Sequence, residues 1–318
     1  MTAVTALLLT LLILIVFIIL LKYCAIVRVK IPETPHKITT GKTNTESVSE
    51  IPRIIWTYWH EPAQPNLVTL CQNNWRQYAP DHEVRVLNKN KLHTWLPAEC
   101  IPTFFNALPN YRQADWIRLR LLSLYGGIWI DASIILTESL DWVHKAQKNE
   151  ESEYVGFYID LFTNRPKQPI VENWFMAATN NSNFIRKLSH EFNHAIEIGE
   201  QFYLEELRES GSFERIIQRL TKKMQTYLIM HVAASKVLDE GNDSYRLTLY
   251  RAEDTALAFH TLLAWRKSKL HIKLALTPCP KKIPFLVKLR GGERKYIDNY
   301  LSKGWYYKGS LLAKFLRI

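Results

Sequence analysis

The sequence predicts an α/β domain with a mostly parallel or mixed sheet and a helical second half, preceded by one transmembrane helix. Three observations predict it. Residues Met1 to Leu21 carry no charged side chain. In the first half of the chain, short runs rich in β-branched and aromatic residues alternate with helical periodicities, the pattern of an α/β sheet. From "NFIRKLSHEFNHAIEIG" through "TYLIMHVAASKVL" the pattern is mostly helical.

The elements follow in order. "MTAVTALLLTLLILIVFIILL" supplies the roughly 20 apolar residues that cross a hydrocarbon layer about 30 Å thick. It lacks the basic n-region and small-residue cleavage site of a signal peptide, so an anchor is expected over residues 1–22. No Lys or Arg precedes the span, whereas Lys22, Arg28, Lys30, Lys37 and Lys42 follow it. The positive-inside rule then puts the bulk of the chain in the cytoplasm, as on a bacterial inner membrane. A Golgi anchor with a lumenal domain is the alternative, and only there would the glycosylation-type triplets at Asn180 and Asn242 matter. Residues 23–50, rich in Thr, Ser, Pro and Lys, read as a linker.

The folded domain is expected over residues 51–275. "IPRIIWTYW" reads as a strand, "NLVTLCQNNWRQYAP" as a helix ending near Pro80, and "HEVRVLN" as a second strand. In the next helix, "QADWIRLRLLSLYGG", Ile117, Leu121, Leu124 and Tyr125 form one apolar stripe, and Asp115 and Arg118 share a different face. Gly126 suits the positive-φ position that ends a helix. "IWIDASIIL", "EYVGFYID" and "VENWFMAAT" read as further strands. Residues 276–318 form a basic, aromatic extension. Its "SLLAKFLRI" is expected to pack on the domain as a short amphipathic helix, with membrane-surface contact as the alternative.

A formal charge of +11 favours anionic partners such as acidic lipid or phosphorylated small molecules. No nucleic-acid-binding module accompanies the charge, so nucleic acid is not an expected partner. The four cysteines have no CxxC spacing, which argues against a zinc site or a disulfide framework. P-loop, GxGxxG, HExxH and GxSxG patterns are absent.

The chemistry centres on "YGGIWIDAS". In a continuous strand Ile128, Ile130, Ala132, Ile134 and Leu136 share an apolar face, while Trp129, Asp131 and Ser133 share the other. An unpartnered buried carboxylate is costly, so Asp131 should meet solvent, a cation or a donor, at the sheet edge where α/β folds bind ligands. Mg²⁺ takes one or two carboxylates plus phosphate oxygens, and Ser133 can add a hydroxyl. From the residues alone, a strand-end acid capping the next turn is the favoured reading of Asp131. His231, in the apolar "LIMHVAAS", is either a core histidine or a ligand of a diphosphate or metal. His60 and Glu61 follow the first strand at its ligand edge, and Trp174 and Asn173 are candidates for an acceptor pocket.

"IPRIIWTYWHEP", "QADWIRLRLLSLYGGIWIDASI" and "ENWFMAATNNSNFIRKL" resemble, in order and spacing, the capsular polysaccharide synthesis glycosyltransferases. These are relatives of glycosyltransferase family 32, the group of the initiating α-mannosyltransferases. The likeness runs from about Ile51 to Leu238. It implies a GT-A-like, Rossmann-type nucleotide-sugar-binding domain, a nucleotide-diphosphate-sugar donor and usually a Mn²⁺ or Mg²⁺ ion. It places Ile54, Ile55 and Trp56, with Tyr58 beyond them, on the strand under the nucleotide base. Asp115 and Arg118 match an Asp-x-x-Arg pair that contacts the donor, and Gly126 and Gly127 a close-approach turn beside Trp129. Asp131 matches the first acid of an Asp-x-Asp metal motif. The second acid is Ser133 here, as in sequences of the capsular type, which leaves one carboxylate fewer for the metal.

The resemblance, together with the apolar N-terminus, thus implies a membrane-anchored hexosyltransferase acting on a capsular, surface or lipid-linked glycan. Asp115, Arg118 and Asp131 would be catalytic, and Asp131, Ser133 and His231 would hold the cation. The lost acid also suits a non-catalytic, anchored glycan-binding scaffold. A carboxylate base, needed only if the reaction inverts, would be Asp160 or Glu172.

Overall fold

The computed structural model describes residues 3–42, 48–241 and 243–318. Met1 and Thr2 of the expected anchor, residues 43–47 of the expected linker, and Asn242 lie outside them.

The apolar N-terminus forms α1 (Ala3–Val27), long and apolar enough to cross a membrane or to be a signal sequence. Its leucines and isoleucines from Leu7 to Leu21 stay exposed, and its C-terminal end meets the rest of the chain. There Ile26 is buried, and the Tyr23 hydroxyl donates to the Leu276 carbonyl at 3.1 Å. Lys273 donates to the carbonyls of Val27 and Val29 at 2.9 and 3.1 Å, spending its charge on the backbone that leaves α1. The segment read as a linker is also engaged: Ile31 is buried, and β1 (Lys37–Thr39) joins the edge of the main sheet.

The remaining elements alternate as the patterning predicts: β2 (Ile54–Tyr58), α2 (Asn66–Tyr78), β3 (Glu83–Leu87), α3 (Asn110–Tyr125), β4 (Gly127–Ile130), β5 (Ile134–Leu136), α4 (Asp141–Glu150), β6 (Tyr154–Tyr158) and β7 (Val171–Ala178). Helices then dominate: α5 (Asn183–Ile198), α6 (Glu200–Glu209), α7 (Phe213–Ile217), α8 (Lys222–Tyr227) and α9 (Ile229–Gly241). The chain closes with β8 (Leu247–Arg251), α10 (Ala258–Leu262), α11 (Lys267–His271), β9 (Leu286–Lys288), α12 (Gly291–Leu301) and α13 (Leu311–Leu316).

The main sheet has the order β1-β8-β6-β7-β4-β2-β3. It is mixed. β3, β2 and β4 run parallel, β7 is antiparallel to both β4 and β6, and β6 and β8 are parallel. β2 and β4 pair Ile55 with Ile128 and Trp56 with Trp129. Two residues beyond that last pair come Tyr58 and Asp131, which therefore emerge side by side at the carboxyl ends of neighbouring strands.

The run "IWIDASIIL" is not one strand. It breaks at Asp131–Ser133, where the Ile134 amide donates to the Asp131 carbonyl at 3.1 Å, and β5 leaves to pair with β9 in a second ladder. The alternation that put Ser133 on the same face as Asp131 therefore does not hold through the turn. The predicted stripe of α3 also changes at one position. Ile117 and Leu121 are buried, but Leu124 is exposed, and Leu122 packs inward instead. Helix α3 is enclosed on most sides, so Asp115 and Arg118 are an interior pair and not a surface one.

Gly126 ends α3 with φ +64° and ψ −157°, and a Cβ there would lie 2.6 Å from the Asn180 amide nitrogen. Only glycine fits both the angles and the contact. Residues 276–318 are integral to the fold. They supply β9, α12 and α13, and α13 buries Leu311, Leu312, Phe315 and Leu316, with Phe315 against Tyr78 of α2. The Asn74 side chain binds the carbonyls of Leu136 and Phe315, tying α2 to both β5 and this helix.

Candidate active site

Two cavities open at the carboxyl ends of β2 and β4, where parallel strands present ligand-binding positions. The first, about 340 Å³, is walled by Tyr58, His60, Asp115, Arg118, Asp131 and Arg294, among others. The second, about 560 Å³, is mainly apolar, with Leu161, Phe162, Trp174, Met224, Leu257 and Trp265 in its wall. Asp131, Asn173, Tyr227, Leu228, Lys288 and Gly291 border both, so the two meet at the Asp131–Lys288 pair.

A chain of alternating charge runs into that junction. Arg112, buried in α3, donates to Asp115 Oδ2 at 3.0 Å. Asp115 Oδ1 lies 3.3 Å from Arg118 Nη2 and accepts from the Asn173 amide at 3.1 Å. Arg118 also donates to the Asn173 carbonyl, and its Nη2 reaches Asp131 Oδ1 at 3.3 Å. The Trp129 indole donates to the same oxygen at 3.0 Å, and the Arg118 guanidinium lies 4.9 Å from the Trp129 ring centre. Lys288 completes the run, donating to Asp131 Oδ2 at 2.7 Å.

The two acids respond differently. Burial pushes the Asp115 carboxyl above its usual range despite Arg118 and Arg112. Burial acts on Asp131 in the same direction, but Lys288 and Arg118 more than offset it and hold its carboxyl below the usual range. Asp131 is thus kept ionised by fixed cations at the cavity junction.

Deeper in the second cavity's wall, His231 Nε2 lies 3.2 Å from Glu172 Oε2, and both residues are buried. His231 Nδ1 has no hydrogen-bond partner. Of the two carboxylates considered as a base, only Glu172 lines this cavity, since Asp160 is half-exposed and pairs with Arg251 at 2.9 Å.

The other residues named from sequence divide by depth. Tyr58, Trp129 and Ser133 line the first cavity with Asp115, Arg118 and Asp131, and His231 lines the second. Ile55 and Trp56 lie inside the sheet, fully buried. Trp56 Nε1 donates to the Gly126 carbonyl at 2.9 Å, and its ring packs on Trp95 and Tyr125. Gly126 and Gly127 serve the turn between α3 and β4, where a Cβ on Gly127 would approach the Ile54 carbonyl oxygen to 2.8 Å.

The three residues expected to hold a cation do not form a shell. Both Asp131 oxygens are already partnered, the Ser133 hydroxyl donates to the Leu289 carbonyl at 2.7 Å, and His231 turns to Glu172. No group of three His, Cys, Asp or Glu side chains that could hold a metal occurs among the described residues. A hard divalent cation, which asks for several free oxygens, does not fit this arrangement.

Sequence reasoning missed Arg112, Lys288 and Arg294. The last two flank a Gly-Gly step in "VKLRGGERK", a signal that was legible but was grouped with a basic tail. Arg294 packs 4.4 Å from the Trp59 ring centre, and its Nη1 is buried without a partner.

Three curated relatives share part of this sequence. The chain is 28% identical over 173 residues to the O-glycosyltransferase braB of Annulohypoxylon truncatum, covering 49% of this chain and 38% of that protein. It is 26% identical over 183 residues to the O-glycosyltransferase PaGT of Phomopsis amygdali, covering 51% and 43%. It is 30% identical over 151 residues to the glycosyltransferase afumC of Aspergillus fumigatus, covering 41% and 37%. The alignments thus span about two fifths of those relatives' own length. A solved structure, PaToxG glycosyltransferase, superposes with a TM-score of 0.32 at 15% identity over 80% of this chain and 86% of its own, too slight a likeness to support an assignment. Residues 26–198, more than half of the chain and including α3, the Gly-Gly turn, Asp131 and Asn173, match the capsular polysaccharide synthesis protein family, and the chain belongs to that family.

Proposed function

We propose that this chain is a glycosyltransferase of GT-A type that moves a sugar from a nucleotide-diphosphate donor to an acceptor hydroxyl. The observation that carries the reading is the pair of cavities meeting at Asp131 and Lys288: one polar and rich in cations, the other larger and apolar. The first suits the donor. Arg118, Lys288 and Arg294 outnumber Asp115 and Asp131 in its wall, which favours a diphosphate. The N-terminus of α12, at Gly291, borders the same cavity, and its dipole favours an anion.

In the reaction, the bond between the anomeric carbon and the β-phosphate oxygen breaks, and a bond from that carbon to the acceptor oxygen forms. The electron pair of the broken bond leaves on the diphosphate, where Arg118 and Lys288 offset the growing charge. In an inverting course the acceptor hydroxyl proton passes to a base, for which Glu172, on the wall of the second cavity, is the candidate; in a retaining course it passes to the departing phosphate oxygen. Asp115 does not touch the acceptor in this reading. It fixes Arg118 between Asn173 and Asp131.

The apolar second cavity favours an acceptor that carries an apolar body as well as its hydroxyl, such as a lipid-linked glycan. Helix α1 suits a membrane location for such chemistry, and the basic flank that follows it favours a cytoplasmic domain.

The test is incubation of the purified, detergent-solubilised chain with a panel of nucleotide sugars, following release of nucleoside diphosphate. Release from at least one donor is expected, with loss of about 10²-fold or more in Arg118→Met. A full panel without hydrolysis or transfer, and without nucleotide affinity, would overturn the reading in favour of a non-catalytic scaffold.

A further inference from the structure

Lys288 occupies an unusual position for a lysine. It is 8% exposed, and it sits at the end of β9 opposite Ile134. Its backbone is fixed from two sides. The Lys288 amide donates to the Ala256 carbonyl at 3.1 Å, and the next residue exchanges two hydrogen bonds with Ser133. Ser133 therefore acts through Leu289, clamping β9 to the turn that carries Asp131. The result is an ammonium held on Asp131 Oδ2 at the junction of the two cavities.

This is where a divalent cation would have to bind if Asp131 carried one. A Mg²⁺ ion bonds carboxylate oxygens at about 2.0–2.1 Å, so it would have to displace the ammonium from Oδ2. Removing Lys288 from its acid would leave a buried charge unpaired, which is costly. An ammonium has three donors, and one partner accounts for one of them. The remaining donors, with Arg118 and the unpartnered Nη1 of Arg294, supply positive charge to the same cavity.

We propose that Lys288, seated on Asp131, takes the place of the divalent cation and contacts the diphosphate of the donor directly, so that this chain binds and cleaves its donor without a metal ion. The proposal rests on the donor-site reading above. It assigns Asp131 a new part: the carboxylate positions an ammonium instead of ligating a metal. It also accounts for Ser133, since a second acid there would compete with Asp131 for Lys288 and would lose the clamp on Leu289.

The experiment is calorimetric titration of the full chain in detergent with UDP, GDP, CDP, ADP and dTDP, each in EDTA and in Mn²⁺. The expected result is one nucleotide whose affinity changes less than about twofold between the two conditions. Lys288→Met should weaken that affinity by roughly 10- to 100-fold, and Lys288→Arg should keep most of it. In Lys288→Met, Mn²⁺ should now strengthen binding, because Asp131 Oδ2 is left free to take the ion. Binding that appears only with Mn²⁺ and vanishes in EDTA would overturn the proposal while leaving the donor site standing. Absence of binding by every nucleotide under both conditions would remove the donor-site reading, and the proposal with it. If Lys288→Met does not fold, the wild-type comparison in EDTA and Mn²⁺ decides the matter alone.

Discussion

Lys288 Nζ lies 2.7 Å from Asp131 Oδ2, although 157 residues of chain separate the two. The contact joins the family-matched N-terminal part of the chain, residues 26–198, to its last fifty residues. Truncation or rearrangement of the C-terminal segment should therefore act on the site as well as on stability. Replacing Val287, buried in β9, by Asp is expected to abolish nucleotide binding together with folding, whereas Lys308→Ala, on an exposed position, should leave both intact. Calorimetry and thermal melting of the two variants check this.

Asp115 is expected to be a stability residue first. Asp115→Ala strips the buried Arg112 and Arg118 of their shared acid, and a broken buried pair costs about 3–5 kcal/mol. Asp115→Asn keeps the shape and should cost less. Urea unfolding of both variants measures the difference, and equal stability of Asp115→Ala and wild type would show that the pair is not structural.

The Gly-Gly turn should be intolerant of any side chain at its first position. Gly126→Ala meets both a positive φ and backbone atoms at 2.6–2.9 Å, so little folded protein is expected. Gly211, with φ +68° but nothing within 4 Å, is the control. Gly211→Ala should lose only about 1–2 kcal/mol of stability, the cost of backbone strain. Comparing soluble yield and melting temperature separates steric exclusion from strain.

Glu293 gives a pH dependence. The carboxyl is buried, which raises its pKa, but His260 and Arg290 more than reverse this and hold it at about 2. Because the folded value lies below the unfolded one, the group stabilises the fold above the ordinary carboxylate range. That contribution is lost as the pH falls from about 4.5 towards 2. It amounts to at most ~3 kcal/mol. Glu293→Gln should flatten the decline in unfolding free energy between these limits, and an unchanged slope would exclude Glu293 as its source.

The N-terminal helix separates two outcomes. If α1 remains as an anchor, the protein stays in membranes washed with alkaline carbonate, and mass spectrometry of the intact chain retains residues 3–27. A mature chain that begins beyond Val27 would identify a signal sequence.

Much of the fold was legible because its causes are local. Short runs rich in β-branched and aromatic residues predicted β2, β3, β6 and β7, and a glycine where helical periodicity stops predicted the end of α3. What remained hidden depends on partners distant in sequence. The break after Ile130 is set by β9, which draws β5 into a second ladder, and no pattern inside "IWIDASIIL" records it. Leu124 keeps the helical spacing of a core residue but is exposed in the last turn of α3. The motif singled out Asp115, Arg118 and Asp131, which line one cavity. Arg112 was not singled out, since a basic residue looks the same whether it faces water or a buried acid, and Lys288, beside its Gly-Gly step, was grouped with a basic tail.

The clasp at the foot of α1 bears on how a substrate reaches the site. A disordered tether would let the domain swing over its surroundings with a radius set by the number of loose residues. Here Tyr23, Ile26 and Lys273 fasten the helix end to the body, and β1 fastens the segment that follows. With α1 in a bilayer, the mouth of the apolar cavity would keep a constant height and heading above the lipid. Acceptors would then be sorted by how far their hydroxyl stands off the membrane, a selection by elevation that operates before any contact with Asp131 or Lys288.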